Sequence, residues 1–188
     1  CGTPWKSKGF LAGHAAMRDR VAAVVAAASP GGRLPVISDA ASCSEGFRAL
    51  LGGADGAEPV EVLDAVDYVA ERVLPRLTVR RRLGSLALHP TCSSTQSGGN
   101  PALLTIGRAI ADEVVVPDAW GCCGFAGDRG LLHPELTASA TKAEAAEIGR
   151  RHFDAYASVN RTCEIGLSRA TGHPYRHILE LLDEATRP

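Results

Sequence analysis

The chain has 188 residues, 45% of them hydrophobic and 22% charged, with six cysteines and a formal net charge of -1. That length can bury a real core in one medium domain or two small halves, while the even charge names no partner; the one basic run, Arg80-Arg81-Arg82, is short and lacks interleaved aromatics, so nucleic-acid binding has little support. The longest uniformly apolar stretch, Val21 to Ala28, is too short to span a bilayer, no charged-then-apolar leader opens the sequence, and six cysteines are too few for a disulfide-stapled miniprotein, which makes a cytoplasmic location the default, with peripheral attachment to a membrane left open.

In chain order, Phe10, His14, Met17, Val21, Val24 and Ala28 recur in steps of three and four and predict a first helix, ended by Ser29-Pro30-Gly31-Gly32. Leu34 to Ser38 is an apolar run of strand length. It leads to Ser42 and Glu45, whose capping-box spacing places Cys43 in the first turn of a helix. Gly52 to Glu58 reads as a loop, Pro59 to about Leu74 as a helix, and Pro75 to Gly84 as the joint between two halves. Ser85 to His89 is a predicted strand running into Pro90-Thr91-Cys92. Asn100-Pro101 is an N-cap followed by a good first helical residue, with Leu103, Ile106 and Ile110 as the buried face. Val114 to Val116 is the next buried strand, opening onto Trp120-Gly121-Cys122-Cys123-Gly124. Leu132, Leu136, Ala140 and Ala143 mark a helix, Phe153 to Ala157 a strand, and Thr162 caps a turn at Cys163. Tyr175, Ile178, Leu179 and Leu182 supply the apolar face of a last helix. Apolar strands alternating with helices predict an α/β fold of short parallel sheets flanked by helices, Rossmann-like in arrangement.

The chain repeats itself. Aligning Cys1 with Cys123 places Gly2 on Gly124, with a further glycine eight positions after Cys1 (Gly9) and seven after Cys123 (Gly130). Both copies run through a helix and a strand to a second cysteine, Cys43 or Cys163. Ser38 matches Ser158, Gly46 matches Gly166, and Pro59 and Pro174 each precede a predicted helix. The expected organisation is a first unit over 1–78, truncated at its N-terminus because the counterpart of Ser85 to Cys122 is absent, and a complete second unit over 79–188.

Two adjacent thiols followed by glycine, the residue that turns freely into positive φ, form a ligand loop with two sulfurs aimed at one centre. Cys92, Cys122, Cys123 and Cys163 all fall at predicted strand-to-helix turns, which in an open α/β sheet gather at the carboxyl end of the strands. There, helix N-termini favour thiolate over thiol. Four thiolates are the usual complement of a four-iron cluster. Structural zinc is the competing reading for four cysteines, although no C-x2-C knuckle occurs. A buried, inert cysteine is acceptable for Cys43 alone.

The histidines are read structurally first. His14 is a packed side chain on its helix, His89 positions the Pro90 turn, with a role beside the cysteines as the alternative, and His133-Pro134 and His173-Pro174 are helix starts. Trp120 is read as simple packing, with shielding of the sulfurs as the alternative. No dinucleotide fingerprint, phosphate loop or nucleophile elbow is present, and nothing pairs a histidine with a cysteine as a nucleophile, so no residue is assigned a catalytic role.

On His89-Pro90-Thr91-Cys92, Gly121-Cys122-Cys123-Gly124-Phe125-Ala126-Gly127-Asp128-Arg129-Gly130, Asn160-Arg161-Thr162-Cys163-Glu164-Ile165-Gly166 and Cys1-Gly2-Thr3-Pro4-Trp5, the chain resembles the cysteine-rich "CCG" domains. These occur in the heterodisulfide reductase B subunit, the glycolate oxidase iron–sulfur subunit and lactate utilisation proteins. The likeness is strongest to the C-terminal region of FAD-linked D-lactate dehydrogenases. It implies an iron–sulfur electron-transfer module of an FAD-dependent D-lactate, or 2-hydroxyacid, dehydrogenase, passing electrons from reduced flavin to a quinone or redox protein. FAD and substrate oxidation would belong to a flavin domain or subunit outside this chain. Carried over, Cys92, Cys122, Cys123 and Cys163 are ligands of a 4Fe-4S cluster, and Cys1 and Cys43 survive from a second set. Members with a five-thiol cluster end in C-x-x-C, whereas here that position is Gly46 or Gly166, which favours four thiols or zinc. The alternative function is a structural zinc-binding or metal-free docking domain of a redox complex.

Overall fold

The computed structural model describes residues 1–52 and 60–188. They form two compact units, Cys1–Tyr68 and Val69–Pro188, each built of a short parallel sheet with flanking helices. The fold class is therefore α/β, as the alternation of apolar runs predicts.

The first unit contains α1 (Thr3–Ser7), α2 (Leu11–Ala28), β1 (Val36–Ser38), α3 (Ala41–Leu51), β2 (Val62–Asp64) and α4 (Ala65–Tyr68). β1 and β2 pair in parallel, with Ser38 opposite Asp64. Leu50, Leu51 and Val62 are buried together against Val21, Val25, Val36 and Phe47. Asp64 ends β2 and caps α4: Oδ1 accepts from the Val66 N–H at 3.0 Å, and Oδ2 accepts from the Ser44 hydroxyl at 2.7 Å, which ties α4 to α3.

The predicted apolar stripe of α2 is corrected. None of its side chains is fully buried, Val25 packs in the core where Val24 was expected, and Phe10 and Val24 stand in solvent. A unit this small covers one side of so long a helix, whose many alanines support it by propensity. Cys43 does lie in the first turn of α3. The N-cap position, however, is Ala40, without a side-chain cap, so the Ser42 capping box is not formed. Most of the loop expected at 52–58 and the helix start at Pro59 lie outside the described residues. Beyond them strand β2 precedes the helix.

The second unit opens on a wide helical turn at Val69–Val73 and a tight one at Leu74–Arg76. It continues through β3 (Leu83–Leu88), α5 (Cys92–Gln96), α6 (Asn100–Ile110), β4 (Ala111–Val115), α7 (Arg129–Leu132), α8 (Pro134–Ile148), β5 (Ala155–Ser158), α9 (Arg161–Thr171), β6 (Tyr175–His177) and α10 (Ile178–Thr186). The sheet runs β4-β3-β5-β6, all parallel. Leu86, Ala87 and Leu88 of central β3 are wholly removed from water, and α6 buries Leu103, Ile106 and Ile110 as its period requires. β4 was expected to be buried. It is half-buried, because it is the sheet edge, and its exposed Asp112 and Glu113 pair with Arg82 and Arg151. Charges of this kind discourage pairing with another chain.

Two strands escaped the sequence reading. β2 and β6 each have three residues, too few for a period, and each leads straight into a helix. His173-Pro174 therefore precedes a strand, and the His173 ring stacks on Tyr156 at 4.4 Å. His133 does stand at the N-cap of α8, with Pro134 in its first turn. Asp64 and His177 occupy the same position in their units: the His177 Nδ1 accepts from the Leu179 N–H at 3.3 Å, as Asp64 does from Val66. The registers agree too, with Ser38 opposite Asp64 in one sheet and Ser158 opposite His177 in the other. Among the described residues no helix is long and apolar enough to cross a membrane.

Candidate metal centre

The carboxyl ends of β3, β4 and β5 feed the three turns that carry Cys92, Cys122-Cys123 and Cys163. Cys92 is the first residue of α5, after a capping box in which Thr91 Oγ1 accepts from the Ser94 N–H and Ser94 Oγ accepts from the Thr91 N–H. Cys163 lies in the first turn of α9. The N-cap position there is Asn160, so Thr162 is already inside the helix and not its cap. The Asn160 side chain instead donates to Ser93 Oγ at 2.8 Å and Thr91 Oγ1 at 3.4 Å, locking the Cys92 turn to the Cys163 turn. Between them the Cys-Cys-Gly loop bends back at Gly124, where φ is +68° and the N–H donates to Cys122 Sγ at 3.4 Å.

Cys123 and Cys163 are buried, with Phe125 and Ile165 packed around them, and their sulfurs are 2.8 Å apart. Cys92 and Cys122 are exposed. The hydrogen bond shared with Cys163, helped by the backbone at Phe125 and by the nearby His89 charge, outweighs burial and holds Cys123 at about 6. The same bond, burial and the repulsion of Cys123, Cys92 and Cys122 push Cys163 far up. Burial, with the charge and hydrogen bonding of Cys122 and the charge of Cys123, raises Cys92. Cys92, Cys123 and Cys163 thus each respond to a neighbouring thiol, and sulfurs remote in sequence come together at one rim of the sheet.

As arranged, no group of three or more His, Cys, Asp or Glu side chains among the described residues stands ready to hold a single metal ion. The close pair shows why: sulfurs on one tetrahedral zinc are about 3.8 Å apart for a Zn–S bond of ~2.3 Å, whereas Cys123 and Cys163 are nearer than that. The donor set itself, four thiols at strand-to-helix turns with one thiolate already favoured, has the chemistry of a thiolate-ligated iron–sulfur centre.

No protein-family model matches the chain. Over 141 residues it is 31% identical to the glycolate oxidase iron–sulfur subunit of Escherichia coli (strain K12), an alignment covering 70% of this chain and 33% of that subunit. The chain resembles part of an iron–sulfur subunit. It spans about a third of the length of that relative.

In the first unit Cys1 and Cys43 meet in the same manner, their sulfurs 3.1 Å apart. Cys1 borders a cavity of about 390 Å³ lined also by Thr3, Lys6, His14 and Gly46. His14 was read as a packed core residue. It is half-buried on that cavity wall, against Gly2.

Sequence reasoning assigned His89 to the Pro90 turn. Its ring instead is wholly buried, with Nδ1 2.8 and 3.0 Å from the two carboxylate oxygens of Glu144 on α8. Asn160 and Glu144 were both missed. Each polar side chain is recognisable only by the partner it meets across the fold, and Glu144 looks in sequence like an exposed helix position.

Proposed function

We propose that the chain is the cysteine-rich electron-transfer part of an iron–sulfur protein, in which Cys92, Cys122, Cys123 and Cys163 hold a 4Fe-4S cluster. The observation that carries this is the meeting of four thiols at the carboxyl end of one parallel sheet, two buried and two open to solvent. The likeness to an iron–sulfur subunit supports it. A bound cluster supplies a one-electron redox centre. The protein's part is to gather the thiols, favour the thiolate at Cys123 and exclude water with Phe125 and Ile165.

The relative's name speaks of glycolate and the motifs resemble those of D-lactate enzymes; both substrates are 2-hydroxyacids. The assembly we propose is an FAD-dependent dehydrogenase of 2-hydroxyacids, D-lactate foremost. Its flavin domain or subunit reduces this module, which passes electrons to a quinone or redox protein, in the cytoplasm or at a membrane surface. We read the sequence as one motif used twice, over 1–78 and 79–188. The matched registers of β1–β2 and β5–β6 support that reading, with Cys1 and Cys43 in the first copy at the places of Cys123 and Cys163.

Protein prepared without oxygen is expected to be brown and to contain iron and acid-labile sulfide. Cys122→Ser and Cys123→Ser each lose the colour and most of the iron while far-ultraviolet circular dichroism is kept. Unchanged iron in both variants refutes the ligand assignment, and colourless protein containing zinc or no metal supports a docking domain instead.

A further inference from the structure

The two units surround their close thiol pairs differently. In the second, Cys123 and Cys163 are buried, and Phe125 and Ile165, each two residues after one of them, pack around the sulfurs. At the matching places after Cys1 and Cys43 stand Thr3 and Glu45. Both are polar and both line the cavity of about 390 Å³ beside Cys1, with Lys6, His14 and Ser42 on the same wall. Cys1 and Cys43 are half-buried, so small polar molecules can reach them. The backbone holds the pair in place. The Gly2 carbonyl accepts from the Trp5 and Lys6 N–H groups at 3.1 Å each, and Cys43 sits in the first turn of α3, its N–H donating to the Ala40 carbonyl at 2.8 Å. Gly46 lets that helix press against Cys1: a Cβ there would come within 3.1 Å of the Cys1 carbonyl oxygen and 3.2 Å of the Cys1 Cβ. The two sulfurs are left 3.1 Å apart, and Cys1 Sγ is 3.4 Å from Thr3 Oγ1. A disulfide bond is ~2.05 Å long, so joining them takes an approach of about 1 Å.

We propose that Cys1 and Cys43 form an oxidation site for peroxides, in which Cys1 reacts from the cavity and Cys43 resolves the product to a disulfide. The Cys1 sulfur attacks the O–O bond of hydrogen peroxide, which gives a sulfenic acid on Cys1 and one water. The Cys43 sulfur then attacks that sulfur, forming the S–S bond, and the sulfenic hydroxyl leaves with the Cys43 proton as a second water. The two thiols lose two electrons and the peroxide gains them. A small dithiol restores both thiols by exchange and leaves as its own disulfide. Cys1 reacts first because it is the thiol on the cavity wall, where Lys6 and Ser42 supply hydrogen-bond donors for the peroxide oxygens. The pair acts whether or not a cluster occupies the second unit.

The full chain, prepared without oxygen, is exposed to equimolar hydrogen peroxide, alkylated, digested with trypsin and analysed by mass spectrometry. The expected product joins peptide 1–6 to peptide 34–48 through a disulfide that is absent before peroxide and abolished by dithiothreitol. The melting temperature rises with it and falls back on reduction, because the bond restricts a long segment of the unfolded chain. In Cys43→Ser, dimedone traps a sulfenic acid on Cys1. Parent protein in which Cys1 and Cys43 are both still alkylated after peroxide overturns the proposal, as do dimedone adducts on Cys43 and not on Cys1. Iron content that falls in Cys43→Ser also overturns it and makes the pair a metal site. These outcomes are separate from the colour of the protein, since iron held by Cys92, Cys122, Cys123 and Cys163 engages neither thiol of the pair.

Discussion

Gly124 shows at a single residue what the thiol site demands. Its φ of +68° is open to glycine, and a Cβ there would come within 2.8 Å of the Ala140 Cβ and 3.0 Å of the Leu136 carbonyl oxygen. The left-handed backbone alone costs a non-glycine residue roughly 1–2 kcal/mol, and the close approach adds to it. Gly124→Ala is therefore expected to destabilise the protein by about 2 kcal/mol or more in urea unfolding and to lower iron incorporation, since relief requires the Cys122-Cys123 turn to move. Equal stability and iron would show that the loop has room. Close approach is also found at the two positions where glycine stands in place of the last cysteine of C-x-x-C. At Gly166 a Cβ would lie 3.0 Å from Thr137 Cγ2, and at Gly46 it would lie 2.3 Å from Thr3 Oγ1. A side chain at either position therefore requires the facing threonine, Thr137 or Thr3, to shift. Sequence spacing identifies the absence of the cysteine, but only the structure shows which neighbour a side chain there would meet.

Among the elements, α8 departs most from its apolar pattern. Leu132, Leu136, Ala140 and Ala143 formed the predicted face, yet Leu132 precedes the helix, Leu136 is exposed, and the buried face is Thr137, Thr141, Glu144 and Ile148. A face that is mostly polar by sequence is turned inward because Glu144 meets His89 there. Glu147, the penultimate residue of α8, accepts from the N–H groups of Asp118 and Ala119 at 2.9 Å each, anchoring the segment that leads to Cys122. Those two donors lower Glu147 below its ordinary value of 4.5. A depressed carboxylate contributes stability that is present above its unfolded value and lost as pH falls through the folded one. The melting temperature of Glu147→Gln should therefore lie below that of the parent at neutral pH, with the gap closing as pH falls below 4.5 and the parent's carboxylate is protonated. A gap that persists unchanged at pH 3 would assign the loss to shape and not to charge.

Across the molecule the two units hold unequal sets of thiols, four in Val69–Pro188 and two in Cys1–Tyr68. On the proposed reading the cluster is held by the four thiols of Val69–Pro188. Iron per chain is accordingly expected to be unchanged in Cys43→Ser and to fall in Cys163→Ser, by colorimetric assay of anaerobic protein; equal falls in both would join Cys43 to the same centre. Much of this was legible beforehand. Apolar runs such as Leu86 to Leu88 and the 3.6-residue period of α6 mark buried strand and helix by composition alone, and the glycine of Cys-Cys-Gly marks the positive-φ turn found at Gly124. β2 and β6 were not legible, because three residues carry no period and their pairing with β1 and β5 spans distant sequence. By itself the sequence determined the α/β class and the cysteines worth watching, since both follow from local pattern and side-chain chemistry. Only the tertiary structure decided that β4 is an edge, that Cys123 and Cys163 share a buried hydrogen bond, and that His89 answers to Glu144. Those depend on which remote groups are brought within a few ångströms of one another, and no local pattern encodes that distance.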